Sequence, residues 1–302
     1  MISIIVLSYN HGGYIVETLR SVCEINIEKE IIIIDDGSTD DSINIINGFI
    51  RSCDIGINIR LIEKSNSGLV TSLNLGLNAA KGESIYFIAS DDLVCPDDFS
   101  SMYEDFISNQ KAQMIIGNAW VYYAGMPCSK KSYTNKHNAF FSLSDSKIRK
   151  EIFLDFPKPL LLQTVIFKRK ALLDIGGWDE NLIWDDYPMF VKLLSKYSIE
   201  ENEIIYDPSM LVAKYRQHDT NSYKNTAKQL AMLKQTFEKL TPPPIFKKAL
   251  AKQYAFYFLV ALRNKDYTII NKLLVEVYNN KTFFVFTCSL FKQVIEWMKR
   301  KL

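Results

Sequence analysis

Along the first ninety residues, short unbroken apolar runs alternate with amphipathic stretches. Residues 2–7 form an apolar, β-branched run that ends in the turn cluster Ser8-Tyr9-Asn10-His11-Gly12-Gly13, and 14–22 then reads as a helix. The alternation repeats with strands at 30–34, 57–62 and 84–89 and helices at 40–50 and 69–80. Strands this short and apolar are buried on both faces, and helices of about 10–12 residues between them make βαβ crossovers of a parallel sheet. Further strands are predicted at 113–123 and 164–167, with a polar, Lys-rich loop at 129–138 and a helix at 188–196. From residue 222 the pattern is helical, interrupted once by Thr241-Pro242-Pro243-Pro244. The expected fold is therefore α/β, a mostly parallel, Rossmann-like sheet over 1–220, followed by a C-terminal helical region over 221–302.

Composition adds bounds to this picture. Of 302 residues, 48% are hydrophobic and 23% charged, the balance of a folded chain. The longest apolar stretches, 255–262 and 283–291, fall short of the about 20 residues that span a bilayer. The N-terminus carries no basic region and no small-residue cleavage site, so no signal peptide is expected. Cys23, Cys53, Cys95, Cys128 and Cys288 are odd in number and form no C-x-x-C pair, which suits a reducing, cytoplasmic setting. Charge is uneven: residues 219–302 hold 15 Lys and Arg against 5 Asp and Glu, whereas the remainder is acidic. An acidic front fits a metal-using site, and a basic tail fits an anionic partner.

In parallel sheets, ligands bind beyond the carboxyl ends of the strands. That rule points at Tyr9-Asn10, Asp35-Asp36 and Ser90-Asp91-Asp92, each polar immediately after an apolar strand. Asp36 can accept hydrogen bonds from a nucleobase or ribose; it can equally belong to a turn in which Gly37 bends the chain and Asp40 caps a helix. Adjacent carboxylates at 91–92 repel unless a cation compensates, and hard oxygen ligands suit Mg²⁺ or Mn²⁺; a helix cap ahead of Pro96 is the plainer reading. Taken together, the clusters accommodate a nucleoside diphosphate, base near Asp36 and phosphates near Asp92.

Trp184-Asp185-Asp186 precedes the 188–196 helix. The pair can cap that helix, or one carboxylate can serve as general base. Gly176-Gly177-Trp178-Asp179-Glu180 just before it is an aromatic loop suited to a sugar, so Trp178, Trp184 and Asp185 are candidate acceptor contacts. His218 is one of three histidines and draws interest from its neighbours Tyr215-Arg216-Gln217. Residues 283–302 place Phe283, Phe286, Leu290, Val294 and Met298 on a basic helix with Trp297 near its end. This fits an anionic membrane surface or, equally, packing on the domain.

With these residues in place, residues 2 to about 220 resemble the family 2 glycosyltransferases, whose fold is the A-type nucleotide-binding domain, and among them the bacterial builders of O-antigen or capsular polysaccharide. The resemblance is carried by the order of 3–10, 14–22, 31–40, Asn74-Leu75-Gly76-Leu77, Ala80-Lys81-Gly82-Glu83, Ser90-Asp91-Asp92, 176–180, Asp185-Asp186 and 215–218. It implies a donor half at about 1–110 and an acceptor half at about 111–220. It further implies that Tyr9 and Asp36 contact the base, Asp91 the ribose and diphosphate, and Asp92 a Mn²⁺ or Mg²⁺ ion approached by His218. Asp186 is then the catalytic base of an inverting single displacement. The metal steadies the leaving nucleoside diphosphate, and no protein nucleophile is required. Two positions depart from the family pattern: Ala89 stands where many members carry an aspartate, and Leu73 where many carry an arginine near the base, which leaves that task to Lys64 or backbone groups or else loosens base selectivity.

The implied reaction moves a hexose or N-acetylhexosamine from a UDP-sugar to a saccharide acceptor, lipid-diphosphate-linked, in surface polysaccharide synthesis. The implied location is the cytoplasmic face of the inner membrane, as a peripheral protein. A sugar-1-phosphate nucleotidyltransferase would need a Gly-rich, Arg-bearing loop after the first strand, where this chain has Ser-Tyr-Asn-His-Gly-Gly. A catalytically degenerate binding protein is the alternative that Ala89 raises. Nucleic acid is disfavoured by the acidic front half and the absence of any recognisable binding motif.

Overall fold

The computed structural model describes residues 1–53, 56–218 and 226–299, without the side chains at 296, 297 and 299. These divide into two units: residues 1–148 with 157–218, and residues 149–156 with the described residues beyond 225. The boundary expected near residue 220 lies outside the described residues, as does the Trp297 side chain.

The first unit begins with β1 (Ile2–Ser8), α1 (Ile15–Cys23), β2 (Lys29–Asp35), α2 (Ser42–Ser52), β3 (Asn58–Glu63), α3 (Leu69–Ala79) and β4 (Ser84–Ala89). The four strands are parallel in the order β3-β2-β1-β4. Register puts Ser8 beside Asp35, and Leu7 beside Ala89, so three strands end along one edge. Period-two alternation decides the packing: Ile2, Ile4, Val6, Ile31, Ile33, Tyr86 and Ile88 share one core with Leu19, Val22, Ile46 and further helix residues. Full burial of each such side chain stabilises by roughly 1.5–3 kcal/mol. On the opposite face, a Cβ added to Gly76 would lie 2.5 Å from the Ile5 side chain, so α3 approaches β1 more closely than any larger residue permits.

The chain continues through β5 (Leu93–Val94), α4 (Pro96–Ser108), β6 (Met114–Tyr122), β7 (Lys130–Lys131), α5 (Asn135–Phe141) and α6 (Asp145–Leu154). It then forms β8 (Val165–Lys168), α7 (Arg169–Asp174), α8 (Asp186–Lys196) and β9 (Ile204–Arg216). This half is mixed: β8 runs antiparallel to β4 and β6, β9 is parallel to β6, and β5 is antiparallel to β9. Residues 129–138, expected to be loop, contain β7 and the start of α5. Thr134 caps α5, and the His137 ring accepts from the Thr134 amide at 3.0 Å, completing a capping box in which histidine takes the place of Glu or Gln.

The second unit holds α9 (Thr226–Leu240), α10 (Pro243–Arg263), α11 (Tyr267–Asn279) and α12 (Phe283–Lys299), the C-terminal helical region expected. The proline run ends one helix and starts the next, with Pro242 at the N-cap of α10. Leu250, Tyr254, Leu273, Val277 and Phe286 are buried within it. Among the described residues, no helix is long and apolar enough to cross a membrane.

Candidate active site

At the end of β2 two adjacent aspartates have different work. Asp35 is fully buried and accepts from Ser8 Oγ (3.0 Å), from the Ser38 amide (2.7 Å) and from Ser38 Oγ (2.7 Å), so it ties the turn to β1. Asp36 accepts from the amides of Ser67 and Gly68, both at 2.9 Å, and pairs with the Lys64 ammonium. Those amides open α3 and have no helical partner of their own, so a carboxylate there is stabilised by hydrogen bonds and by the helix dipole. Gly37 (φ 73°) lets the chain turn between them; a Cβ there would sit 2.7 Å from the Asn66 nitrogen. Tyr9 is 45% exposed, an open aromatic surface at the end of β1. Lys64, expected only as a substitute for an absent arginine, thus sits on Asp36.

The short strand β5 explains the next cluster. Leu93 pairs with Lys214 and Val94 with Ala213, so the residues just before β5 are carried alongside the end of β9. His218 Nε2 consequently lies 2.8 Å from Asp91 Oδ2, and His11 Nε2 lies 3.8 Å from the same oxygen. His11, Asp91 and His218 offer ligand atoms all within 4.8 Å of one another. Two imidazoles and a carboxylate suit a divalent transition ion such as Mn²⁺. His11 Nδ1 stands 2.8 Å from Ser90 Oγ. In the tautomer that donates this bond, Nε2 presents its lone pair to the cluster. Tyr14 stacks on the His218 ring at 5.1 Å and 22°.

Asp92, expected to hold the metal, faces the other way. It is buried, its Oδ1 accepts from the Arg216 amide (2.8 Å) and its Oδ2 from the Gln163 side chain (2.9 Å). Both Asp92 oxygens are thus taken, whereas Asp91 Oδ2 meets His218, so Asp91 is the one of the pair that joins the histidine cluster. Burial, followed by the Asp91 charge, pushes the Asp92 carboxyl well above the usual range, while Arg216 and Gln163 pull it back. Arg216 also donates from Nε to the Asp91 carbonyl (2.6 Å) and from Nη2 to Glu17 (2.5 Å), fixing the segment on which Asp91 is mounted. His11 and Gln163 were not among the expected site residues. The signal for His11 was its place directly after Tyr9-Asn10; Gln163 gave none, because its role depends on a turn that precedes β8.

Asp186 opens α8. Its Oδ1 accepts from the Leu162 amide at 3.3 Å. Burial and then the adjacent Asp185 raise its carboxyl well above the normal value, and the Asp92 charge adds to the same direction. A carboxylate so raised is a stronger base than an exposed one. Trp178, expected to meet an acceptor sugar, is instead 4% exposed and packs edge-on against Phe87. Its indole N–H donates to the Asp185 carbonyl at 3.1 Å, and its backbone is clasped by Asn74, which accepts from the Trp178 amide (2.9 Å) and donates to its carbonyl (3.0 Å). The large apolar ring is worth more in the core than at the surface, so Trp178 positions the acidic pair from behind. Trp184 is half-buried and stacks on Tyr187 (4.8 Å, 26°). Asp185 is the N-cap residue of α8.

The sequence profile of glycosyl transferase family 2 matches residues 3–166. The poly-beta-1,6-N-acetyl-D-glucosamine synthase of Staphylococcus epidermidis is 29% identical over 214 residues, covering 70% of this chain and 48% of that protein. The chain therefore spans about half the length of this curated relative. Among solved structures, the mannosyltransferase PcManGT from Pyrobaculum calidifontis, in complex with GDP-Man and Mn²⁺, aligns with a TM-score of 0.60 at 17% identity, covering all of this chain and 88% of that one. S. aureus TarS 1–349 in complex with UDP-GlcNAc aligns with a TM-score of 0.58 at 17% identity, covering 85% and 72% of the two chains. At such identity these two structures speak to the fold alone.

Proposed function

The chain belongs to glycosyl transferase family 2, and from that premise we propose that it transfers a hexose or N-acetylhexosamine from a UDP-sugar to a saccharide acceptor, with inversion at the anomeric carbon. The observation that carries the proposal is the Asp91–His218 pair with His11 beside it, at the edge where β1, β2 and β4 end. The reaction fits surface polysaccharide synthesis, a reading favoured by the relative named as a poly-beta-1,6-N-acetyl-D-glucosamine synthase; the lipid-diphosphate-linked acceptor rests on the sequence resemblance alone.

Asp91, His218 and His11 would hold Mn²⁺ in preference to Mg²⁺, which favours oxygen ligands alone; the ion when bound would neutralise the charge that grows on the departing diphosphate. Tyr9 offers a face for the nucleobase. Asp36, already engaged by two amides and Lys64, shapes the floor beneath it more than it reaches outward. Asp186 takes the proton of the acceptor hydroxyl as that oxygen attacks, and Trp178 holds the Asp185 backbone so that the carboxylate stays in place. The intact acidic pair favours an active enzyme over a degenerate binding protein, since Ala89 removes one polar contact and none of the groups just named.

The test is nucleotide release across a panel of sugar nucleotides, with Mn²⁺ and then with chelator. Metal-dependent release from one UDP-sugar is the expected result. Absence of binding to any sugar nucleotide would overturn the proposal.

A further inference from the structure

The second unit leaves aromatic side chains in solvent that its own core does not use. On α12, Phe284, Cys288, Phe291, Ile295 and Met298 recur at alternating steps of four and three and therefore share one face, and all are exposed, Phe284 at 79% and Phe291 at 68%. Phe286, on the other side of that helix, is 2% exposed and supplies the packing. At the preceding turn Tyr278 is 82% exposed, and Phe283 follows within five residues. Isolated exposed apolar residues are ordinary, but an aromatic row of this size marks a surface that meets a partner.

Two observations identify the partner's chemistry. Residues 219–302 carry 15 basic against 5 acidic side chains, so the partner is anionic. The turn between α11 and α12 sharpens the point. Lys281 closes α11 at φ 55°, its amide donating to the Tyr278 carbonyl (3.0 Å) while the Thr282 amide donates to that of Val277 (3.1 Å). This is the helix-ending turn at which glycine is the favoured residue, and here a lysine occupies it, exposed among aromatics. A second copy docked on the same face would bring two strongly basic regions together and be repelled, whereas a negatively charged lipid surface attracts the lysines and accepts the rings.

We propose that the exposed face of α12, with the Tyr278–Phe284 turn at its head, is a docking surface for an anionic lipid bilayer, the aromatics entering the headgroup region and Lys281 pairing with lipid phosphates. This goes beyond the transfer reaction and stands or falls independently of it. The lipid-facing set differs from the apolar positions expected from sequence: Phe286 belongs to the core, and Phe284, Phe291 and Ile295 belong to the surface.

The test is co-sedimentation of the full chain with vesicles of phosphatidylcholine alone and of phosphatidylcholine with phosphatidylglycerol. Binding to the anionic vesicles, weakened by salt, is expected. The double substitution Phe283→Ser/Phe284→Ser should lower the partition coefficient at least about tenfold, the effect of leaving one large apolar side chain unburied, with the thermal melt unchanged. Lys281→Gly should lower it about fivefold, the equivalent of one lysine near the surface, while raising the melting temperature because the left-handed turn is relieved. A variant that binds less yet melts higher has not lost binding by unfolding. Equal binding by wild type and variants, or no preference for anionic vesicles, would overturn the proposal. So would a concentration-dependent dimer in sedimentation velocity that the Phe283→Ser/Phe284→Ser chain fails to form, since the face would then serve self-association.

Discussion

His218 Nε2 lies 2.8 Å from Asp91 Oδ2 although 127 positions separate the two in sequence. The two-residue strand β5, paired antiparallel with β9, is what brings them together. Asp91→Asn and His218→Ala should each weaken Mn²⁺ binding to the UDP-loaded protein and lower kcat by about two orders of magnitude or more, because the developing diphosphate charge loses its compensation. A manganese titration followed by electron paramagnetic resonance, beside initial rates, checks both. Unchanged metal affinity in Asp91→Asn would remove that residue from the ligand set.

Asp92→Asn should behave differently. Both Asp92 oxygens accept, one from the Arg216 amide and one from Gln163, and an asparagine can accept with only one of its two terminal atoms. The expected outcome is a stability loss of about 1–3 kcal/mol, the cost of stranding a buried donor, with Mn²⁺ affinity reduced far less than in Asp91→Asn. Chemical denaturation compared with the metal titration separates the two.

The parallel half of the sheet was legible because β1, β2 and β4 are nearly continuous apolar runs and each helix follows at regular spacing, whereas the edge strand β3 carries Asn58, Arg60 and Glu63 and is half-exposed. The Ser-Asp-Asp string was legible as a site but not in detail: sequence shows two carboxylates, and only the turn after β4 and the β5–β9 pairing decide that Asp91, not Asp92, meets His218 and His11. The same holds for Trp178, where an aromatic in a Gly-rich loop reads as a sugar platform until Phe87 and Asn74 show it packed inward. His11 and Gln163 contribute through contacts made across 79 and 71 positions, beyond any local pattern. The α5 capping box was missed because histidine fills the position that Glu or Gln normally signals.

The two tryptophans near the acidic pair should separate cleanly. Trp178→Phe keeps most of the buried ring but removes the indole N–H bond to the Asp185 carbonyl, so stability should fall by about 1 kcal/mol and kcat should fall with donor KM unchanged. Trp184→Ala unstacks a half-buried ring from Tyr187, so it should raise acceptor KM with little change in kcat. Steady-state kinetics with varied donor and varied acceptor distinguish the outcomes; a Trp184→Ala chain with unaltered acceptor KM would remove that ring from the acceptor site.

Asp186→Asn should trade activity for stability. Loss of the proposed base should lower kcat by about 10²–10⁴-fold while leaving UDP binding intact. The stability effect follows from the raised carboxyl of Asp186. A group whose pKa is higher in the folded chain than in the unfolded one binds its proton more tightly when folded. Its favourable contribution is thus complete below the unfolded value, about 3.9, and is lost as pH rises through the folded value. Between those two values the wild type loses stability that the amide, which does not titrate, keeps. The Asp186→Asn chain should melt at a higher temperature than wild type at pH 7, and the gap should close as pH falls toward 4. Melting curves across that range check the sign. A variant less stable than wild type at pH 7 would mean that the Leu162 hydrogen bond outweighs the cost of burying the charge.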